Sequence, residues 1–446
     1  MKHIVILGNG ISGITAARHI RMLSDHRITV ISGETEHFFS RTALMYIYMG
    51  HMKYEHTKPY EDYFWPKNRI ELKKAWVKQI DFEQKTLLLE GEESVGYDVL
   101  ILAVGSEPNK FDWSGQDLDG VQGLYSYQDL EKLESSTTAG IRRGVIVGGG
   151  LIGVELAEML LSRDIQVTLL VRDDGYWGSV LPAEESALVT NHIRTHGVDL
   201  RLNTELAEIK PDGTGKRVGS ILTKGGEQIN CEFVGLGVGV HPFIELLQET
   251  SVETDKGILI NEFLETSLPD VYAIGDCAQH RQPPAGRKAI EQIWYTGRIM
   301  GETVARTICG DRTPYTPGVF FNSAKFIDIE YQTYGQITVP LEEDTDTFYW
   351  EHSNGQTALR INYLKETGAV IGFNALGLRL RHEVCDRWIK NERSIRYVLE
   401  HLKEVHFDPE FFQRHEDAIV QSYNSTHSEP VRKQEVRKSF LGRLFT

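Results

Sequence analysis

The chain has 446 residues, too many for one compact core, so two or three domains are expected. Hydrophobic residues make up 41% and charged residues 25%, ordinary values for a soluble globular protein, and no tract is of low complexity. A formal charge of -15 repels phosphate backbones and argues against nucleic acid as a partner of the body of the protein.

Residues 2–7 read as a short buried strand that runs into Gly8-Asn9-Gly10-Ile11-Ser12-Gly13 and then a helical segment, ITAARHIRML. Strand, glycine turn and helix stand in the order of a dinucleotide-binding fingerprint. Gly8 permits the tight turn, Gly10 leaves room for a pyrophosphate, and Gly13 lets the helix approach the strand. The anion would sit on the helix N-terminus, near the amides of Ile11 and Ser12. A second strand over residues 28–32 leads to Glu34, about 20 residues past the last glycine, where an acid accepts hydrogen bonds from a ribose. The plainer alternative is a glycine-rich surface turn.

The pattern returns. Residues 144–147 lead into Gly148-Gly149-Gly150-Leu151-Ile152-Gly153, the helix VELAEMLLSR and a strand over 167–171. Two such units call for two nucleotides, and hydride transfer from a nicotinamide to a flavin is an economical reason to hold both; an empty duplicate is the alternative. The strand ends in Val171-Arg172 with no acid at its tip. Arg172 could pair with a 2′-phosphate, which leans the reading towards NADPH, while Asp173 and Asp174 could neutralise it or bind a ribose.

Between the two units lies KQIDFEQKTLLLEGEESVGYDVLILAVGSEPN, two short strands and then an apolar strand ending at Ala103-Val104-Gly105. Beyond the second come CEFVGLGVGVHPF and LETSLPDVYAIGDCA. In this order the motifs resemble the two-dinucleotide-binding-domain flavoproteins of the pyridine nucleotide-disulfide oxidoreductase superfamily. Within it they are similar to the branch of ferredoxin, rubredoxin and nitrite reductase FAD subunits. The resemblance covers roughly residues 1–320.

It implies an α/β fold of two Rossmann-like domains, FAD-binding (1–112 and 244–314) and NAD(P)H-binding (113–243), with an α+β C-terminal interface domain (315–430). FAD is the expected cofactor and NAD(P)H the expected substrate. Asp276 would bind the ribityl chain with Gly275 giving backbone room, although a helix N-cap is the plainer role. Val77, Ala103, Gly105 and Gly239 join the expected nucleotide contacts. Glu155, on the first turn of the second helix, would touch the nicotinamide end; stabilising the helix dipole is its alternative.

Members that work through a redox cysteine place it just after the acidic ribose ligand. Arg41 stands there instead, within His37-Phe38-Phe39-Ser40-Arg41-Thr42, and the expected chemistry moves away from thiols. Arg41 resembles the arginine of the ferredoxin-reductase branch and could contact FAD phosphate or adenine. The branch's following prolines are Thr42 and Ala43 here, and its lysine is Tyr46. The segment KAIEQIWYTGRIMGETVARTICG reads as an amphipathic helix, and its start resembles the family's helix whose N-terminal amides face the flavin. Glu291 and Trp294 would border the reacting rings, Trp294 having core packing as its alternative.

Further along, residues 325–332 and 347–350 read as strands, 359–365 and 369–373 as a hairpin, and Gly372 and Gly377 as turn points, with helices following. The tail, 431–446, carries five basic residues against Glu435 and an apolar stripe at helical spacing. It is either a frayed terminus or a surface helix for an anionic membrane or a partner. No stretch reaches the roughly 20 apolar residues that span a bilayer, and no charged leader precedes the first apolar run, so cytoplasm, with possible attachment to the inner face of the membrane, is expected. Cys231, Cys277, Cys309 and Cys385 form no CxxC or zinc spacing, and no metal is expected.

The implied activity is electron flow from NAD(P)H through FAD to an acceptor, most simply an iron–sulfur protein, with a homodimer among the expected states. A quinone reductase or oxidase, and a redox-sensing docking protein, are the competing readings.

Overall fold

The computed structural model describes residues 1–138, 140–407 and 413–434. Their contacts divide the chain into two compact units, Met1–Tyr176 with Ile193–Gly318, and Trp177–His192 with Val319–Thr446.

In the first unit, two parallel five-stranded sheets repeat one plan. The order is Val271–Ala273, Val99–Leu102, His3–Leu7, Arg27–Ser32, Ile70–Lys74 in one, and Val121–Gln122, Phe233–Leu236, Arg143–Val147, Gln166–Leu170, Asp199–Arg201 in the other. Each sheet therefore has the strand that precedes a glycine turn at its centre. Parallel strands covered on both faces read as unbroken apolar runs, and Ile4, Val5 and Ile6 are 0% exposed. The helices after the turns span Ile11–Leu23 and Leu151–Leu161.

The strand Val271–Ala273 completes the first sheet after the second has been built, so the chain leaves and returns. The outgoing and returning links, Ser106–Pro108 and Val240–Pro242, pair with each other antiparallel. The connecting segment also holds one strand more than expected, Ser94–Gly96, in a three-stranded sheet with Val77–Asp81 and Thr86–Leu89.

The amphipathic helix begins at Trp294 and runs to Ile308; residues 288–293 do not join it. Ile293 is extended, at φ -131° and ψ 132°, and Glu291 is drawn into an ion pair with Arg287. Small residues then let this helix lie close on the first one: a Cβ at Gly301 would stand 2.6 Å from the Ser12 carbonyl oxygen, and one at Gly297 2.5 Å from Ser12 Oγ.

The second unit is α+β. Its antiparallel sheet has the order Phe321–Phe326, Ile329–Gly335, Val370–Leu376, Ala358–Leu364, Thr345–Glu351. Phe348, Trp350, Phe373, Trp388 and Val398 form part of its core with the helices His382–Lys390, Ile395–Glu400 and Glu416–Thr426. The single strand expected at 325–332 is instead the tip of a hairpin, because Ile327 turns the chain at φ 60°. Gly372 lies inside a strand, where the Gln336 backbone leaves no space for a Cβ, and only Gly377, at φ 63°, makes a turn. Val431 is buried in this core and exchanges two hydrogen bonds with Asn424, 2.7 and 2.9 Å. The rest of the expected tail, 435–446, lies outside the described residues. Among the described residues no helix is long and apolar enough to cross a membrane.

Candidate functional site

The two glycine turns match contact by contact. Gly8 N–H donates to Ile31 O at 2.8 Å, and Gly148 N–H to Leu170 O at 2.9 Å. Both glycines have positive φ, 111° and 120°, and a Cβ on either would strike the neighbouring strand's backbone, Ala103 O at 2.1 Å or Gly237 O at 2.2 Å. The third glycines are as tight, with the would-be Cβ of Gly13 2.1 Å from Gly8 O and that of Gly153 2.2 Å from Gly148 O. Only the middle glycines are open: nothing lies within 4 Å of a Cβ on Gly10 or Gly150.

The two turns are closed where helix meets strand and open at the middle glycine, on the side a ligand's phosphates would approach. Each opens a helix whose first amides, Ile11 and Ser12 or Leu151 and Ile152, lack partners within the helix. Such ends attract anions. These open cradles fit the pyrophosphates of two dinucleotides.

At the first turn, Glu34 and Arg41 form a bidentate pair, with Nη1 to Oε1 at 2.8 Å and Nη2 to Oε2 at 2.6 Å. Burial works against the charge of Arg41, yet the Glu34 carboxylate outweighs it and holds the guanidinium above its ordinary pKa. Glu34 Oε1 also accepts Tyr127 N–H at 2.8 Å, which leaves one of its roughly four acceptor positions for a hydroxyl. Arg41 thus contacts Glu34 and, through Nη1, the Tyr125 carbonyl.

Asp276 arrives on the returning segment. Gly275 admits Ser12, whose Oγ would be 2.3 Å from a Cβ there, and this draws Asp276 up to the first turn. Asp276 Oδ2 accepts the Tyr125 hydroxyl at 3.1 Å, and Oδ1 has no protein donor among the described residues. Burial raises the pKa of Asp276, while the Tyr125 hydrogen bond and the Arg41 charge oppose the rise. A carboxylate with one oxygen unengaged fits recognition of ligand hydroxyls. Ala103 lies against Gly8, and Gly105, at φ 75°, faces the Tyr125 hydroxyl. Val77 begins the Val77–Asp81 strand, and Gly239, at φ 87°, precedes the Val240–Pro242 link.

At the second turn, Arg172 is 77% exposed, with Nε 3.5 Å from Asp173 Oδ1. Glu155 lies in the helix Leu151–Leu161. The fully buried Tyr176 donates its hydroxyl to Gly150 O at 2.6 Å and so braces the open middle glycine.

Glu291 is engaged by Arg287 Nε at 2.6 Å and Nη2 at 2.5 Å and accepts the Thr296 hydroxyl at 3.0 Å. Trp294 is exposed at the start of its helix. Burial pushes the thiols of Cys231 and Cys277 up to about 12, so both are protonated at neutral pH.

Sequence reasoning passed over Tyr125 and Tyr176. Tyr125 had a usable signal: Ser126-Tyr127-Gln128-Asp129 has the spacing of a capping box. Ser126 Oγ accepts Asp129 N–H at 3.0 Å and Asp129 Oδ2 accepts Ser126 N–H at 2.8 Å, which fixes the residue just before the helix. For Tyr176 no local pattern points to Gly150.

Fold and turns together define a dinucleotide-binding protein with two such turns in one unit. Residues 2–294 match the pyridine nucleotide-disulphide oxidoreductase family, and the chain belongs to it. It is an oxidoreductase that uses FAD and NAD(P)H. Rubredoxin-NAD(+) reductase of Pseudomonas putida is 27% identical over 380 residues, covering 83% of this chain and 98% of its own length. Nitrite reductase [NAD(P)H] of Bacillus subtilis (strain 168) is 26% identical over 384 residues, 85% of this chain; the match spans only 46% of that protein. The ferredoxin reductase for the CYP199A2 system from Rhodopseudomonas palustris has the same fold, with a TM-score of 0.76 over 84% of this chain and 91% of its own, at 24% identity.

Proposed function

We propose that this oxidoreductase passes electrons from NAD(P)H through FAD to an iron–sulfur protein. The observation that carries the reading is the pairing of two open nucleotide cradles with Arg41 at the position where thiol-dependent relatives hold cysteine. Cys231, Cys277 and Cys385 are buried and all four cysteines are unpaired, so no thiol pair stands ready to take electrons. The similarity to a rubredoxin reductase along almost that enzyme's whole length supports the same acceptor class.

The chemistry supplied by bound FAD is acceptance of a hydride and release of electrons one at a time. This chain's share is positioning. Ile11 and Ser12 amides receive the pyrophosphate, Glu34 and Asp276 accept hydroxyls, and Arg41 holds Glu34 in orientation through its two hydrogen bonds. Leu151 and Ile152 do the same for the nicotinamide nucleotide, with Glu155 on the turn that follows. Arg172, exposed beside Asp173, meets a 2′-phosphate, which favours NADPH; kcat/KM tenfold higher for NADH would refute that preference.

The test is anaerobic reduction by NADH and by NADPH, followed by mixing with ferredoxin, rubredoxin, quinone or oxygen. Fastest reoxidation by an iron–sulfur protein is expected, and fastest reoxidation by quinone or oxygen would replace the proposal with a quinone reductase or oxidase.

A peripheral membrane or partner contact through the tail belongs to the same reading, as does a homodimer. Because Val431 is part of the second core, the tail is best removed from residue 435 onward. NAD(P)H-ferricyanide turnover should survive that deletion, and unchanged liposome binding would dismiss the membrane role. Light scattering decides the homodimer.

A further inference from the structure

Three groups read as cofactor anchors, Glu34, Arg41 and Asp276, are met by one short segment of the chain. It follows the edge strand Val121–Gln122 of the second sheet. Tyr127 N–H and the Gln128 side chain bond Glu34, the Tyr125 carbonyl accepts Arg41 Nη1 at 2.6 Å, and the Tyr125 ring lies 4.5 Å from the Arg41 guanidinium carbon. The Tyr125 hydroxyl accepts Ser106 N–H at 3.0 Å and donates to Asp276 Oδ2 at 3.1 Å.

We propose that Tyr125 is a positioning residue of the FAD site: its phenol fixes one oxygen of Asp276, leaving the other as acceptor for a cofactor hydroxyl, while its carbonyl and ring hold Arg41 on Glu34. This rests on the FAD reading above and deepens it. A tyrosine packed only for its apolar area would have no use for both a backbone donor and a carboxylate acceptor, and phenylalanine would serve as well. Here the hydroxyl stands between the link Ser106–Pro108 and the returning segment, so it joins three stretches of chain far apart in sequence. Since it follows a strand of the nicotinamide-side sheet, FAD retention is tied to how that sheet is held.

The test uses the purified holoprotein and its Tyr125→Phe, Asp276→Asn and doubly substituted forms. FAD dissociation constants are read from flavin fluorescence, alongside the visible flavin spectrum and the melting temperature. Losing a hydrogen bond to a charged group should weaken FAD binding about tenfold or more in Tyr125→Phe. In the Asp276→Asn background the same change should cost at most about twofold, because the bond acts through the carboxylate. A general loosening would instead lower the melting temperature and cost the same in both backgrounds. Unchanged affinity in Tyr125→Phe, or equal losses in both backgrounds, overturns the assignment. If the wild-type protein takes up no FAD at all, the FAD reading itself has failed.

Discussion

Arg41 grips Glu34 through two parallel hydrogen bonds, Nη1 to Oε1 at 2.8 Å and Nη2 to Oε2 at 2.6 Å. The pair stands seven residues apart on the loop beyond the Arg27–Ser32 strand. A guanidinium fork matches a carboxylate in two places, whereas an ammonium is a point charge. Arg41→Lys should therefore keep the charge, lose the orientation of Glu34 and weaken FAD binding about tenfold, the worth of one such bond. Arg41→Met should weaken it further, because Glu34 is left without its cation. Equilibrium dialysis of the flavin checks both, and wild-type retention in Arg41→Met would show that the pair is only structural.

The glycines allow a cleaner separation of folding from binding. Gly10 has φ -67° and Gly150 φ -105°, values any residue adopts, and both would hold a Cβ in open space. Gly10→Ala should leave the melting temperature within about a degree yet raise the FAD dissociation constant at least tenfold, while Gly150→Ala should keep its flavin and raise KM for NAD(P)H. Gly13→Ala and Gly153→Ala push a methyl against backbone oxygen and should each cost about 1–3 kcal/mol of stability. Normal nucleotide binding by Gly10→Ala and Gly150→Ala would mean that the phosphates lie elsewhere.

These turns were legible because everything they need is contiguous: an apolar strand, three glycines at fixed spacing and a helix. The third glycine's close approach is written into the chain five residues after the first. Tyr125 was not legible in the same way, since its partner Asp276 lies 151 residues away and only the fold brings them together. The hairpin that replaces the strand expected at 325–332 has a local cause. Apolar alternation continues across Ile327-Asp328 with no glycine or proline to mark the reversal, and only the positive φ of Ile327 reveals it. The late start of the helix at Trp294 has no local mark either, since Ile293 is extended within a stretch whose pattern alone reads as helical.

Stability should fall on mild acidification through His280. The residue is 7% exposed, its ring stacks on Tyr315 with centroids 5.1 Å apart, and burial lowers its pKa. Arg287 lowers it too, against the opposing effect of Glu291. Unfolded histidine takes up a proton near pH 6.5 while the folded one resists, so its contribution is fully present above about pH 6.5 and is lost as pH falls below that. His280→Phe keeps a ring on Tyr315 and removes the titration. Melting temperatures at pH 7.5, 6.0 and 5.0 should converge for His280→Phe relative to wild type; equal falls in both proteins would exclude His280 as a source of the acid sensitivity.

Within the second unit, Arg360 and Glu185 form a buried ion pair whose side chains are 4% and 1% exposed. Arg360 Nε and Nη2 reach Glu185 at 2.7 Å each, Nη2 also reaches Glu184 at 2.7 Å, and Nη1 donates to Thr347 at 3.0 Å. Removing one partner strands the other charge in the interior, at a cost of about 3–5 kcal/mol, whereas a matched apolar pair is often neutral or better. Glu185→Ala should fall at the lower end of that range, because Glu184 still touches the guanidinium. Arg360→Met with Glu185→Leu should recover most of the loss. Urea denaturation of the three proteins measures this, and a loss below about 1 kcal/mol in Glu185→Ala would mean that Glu184 and water already satisfy Arg360.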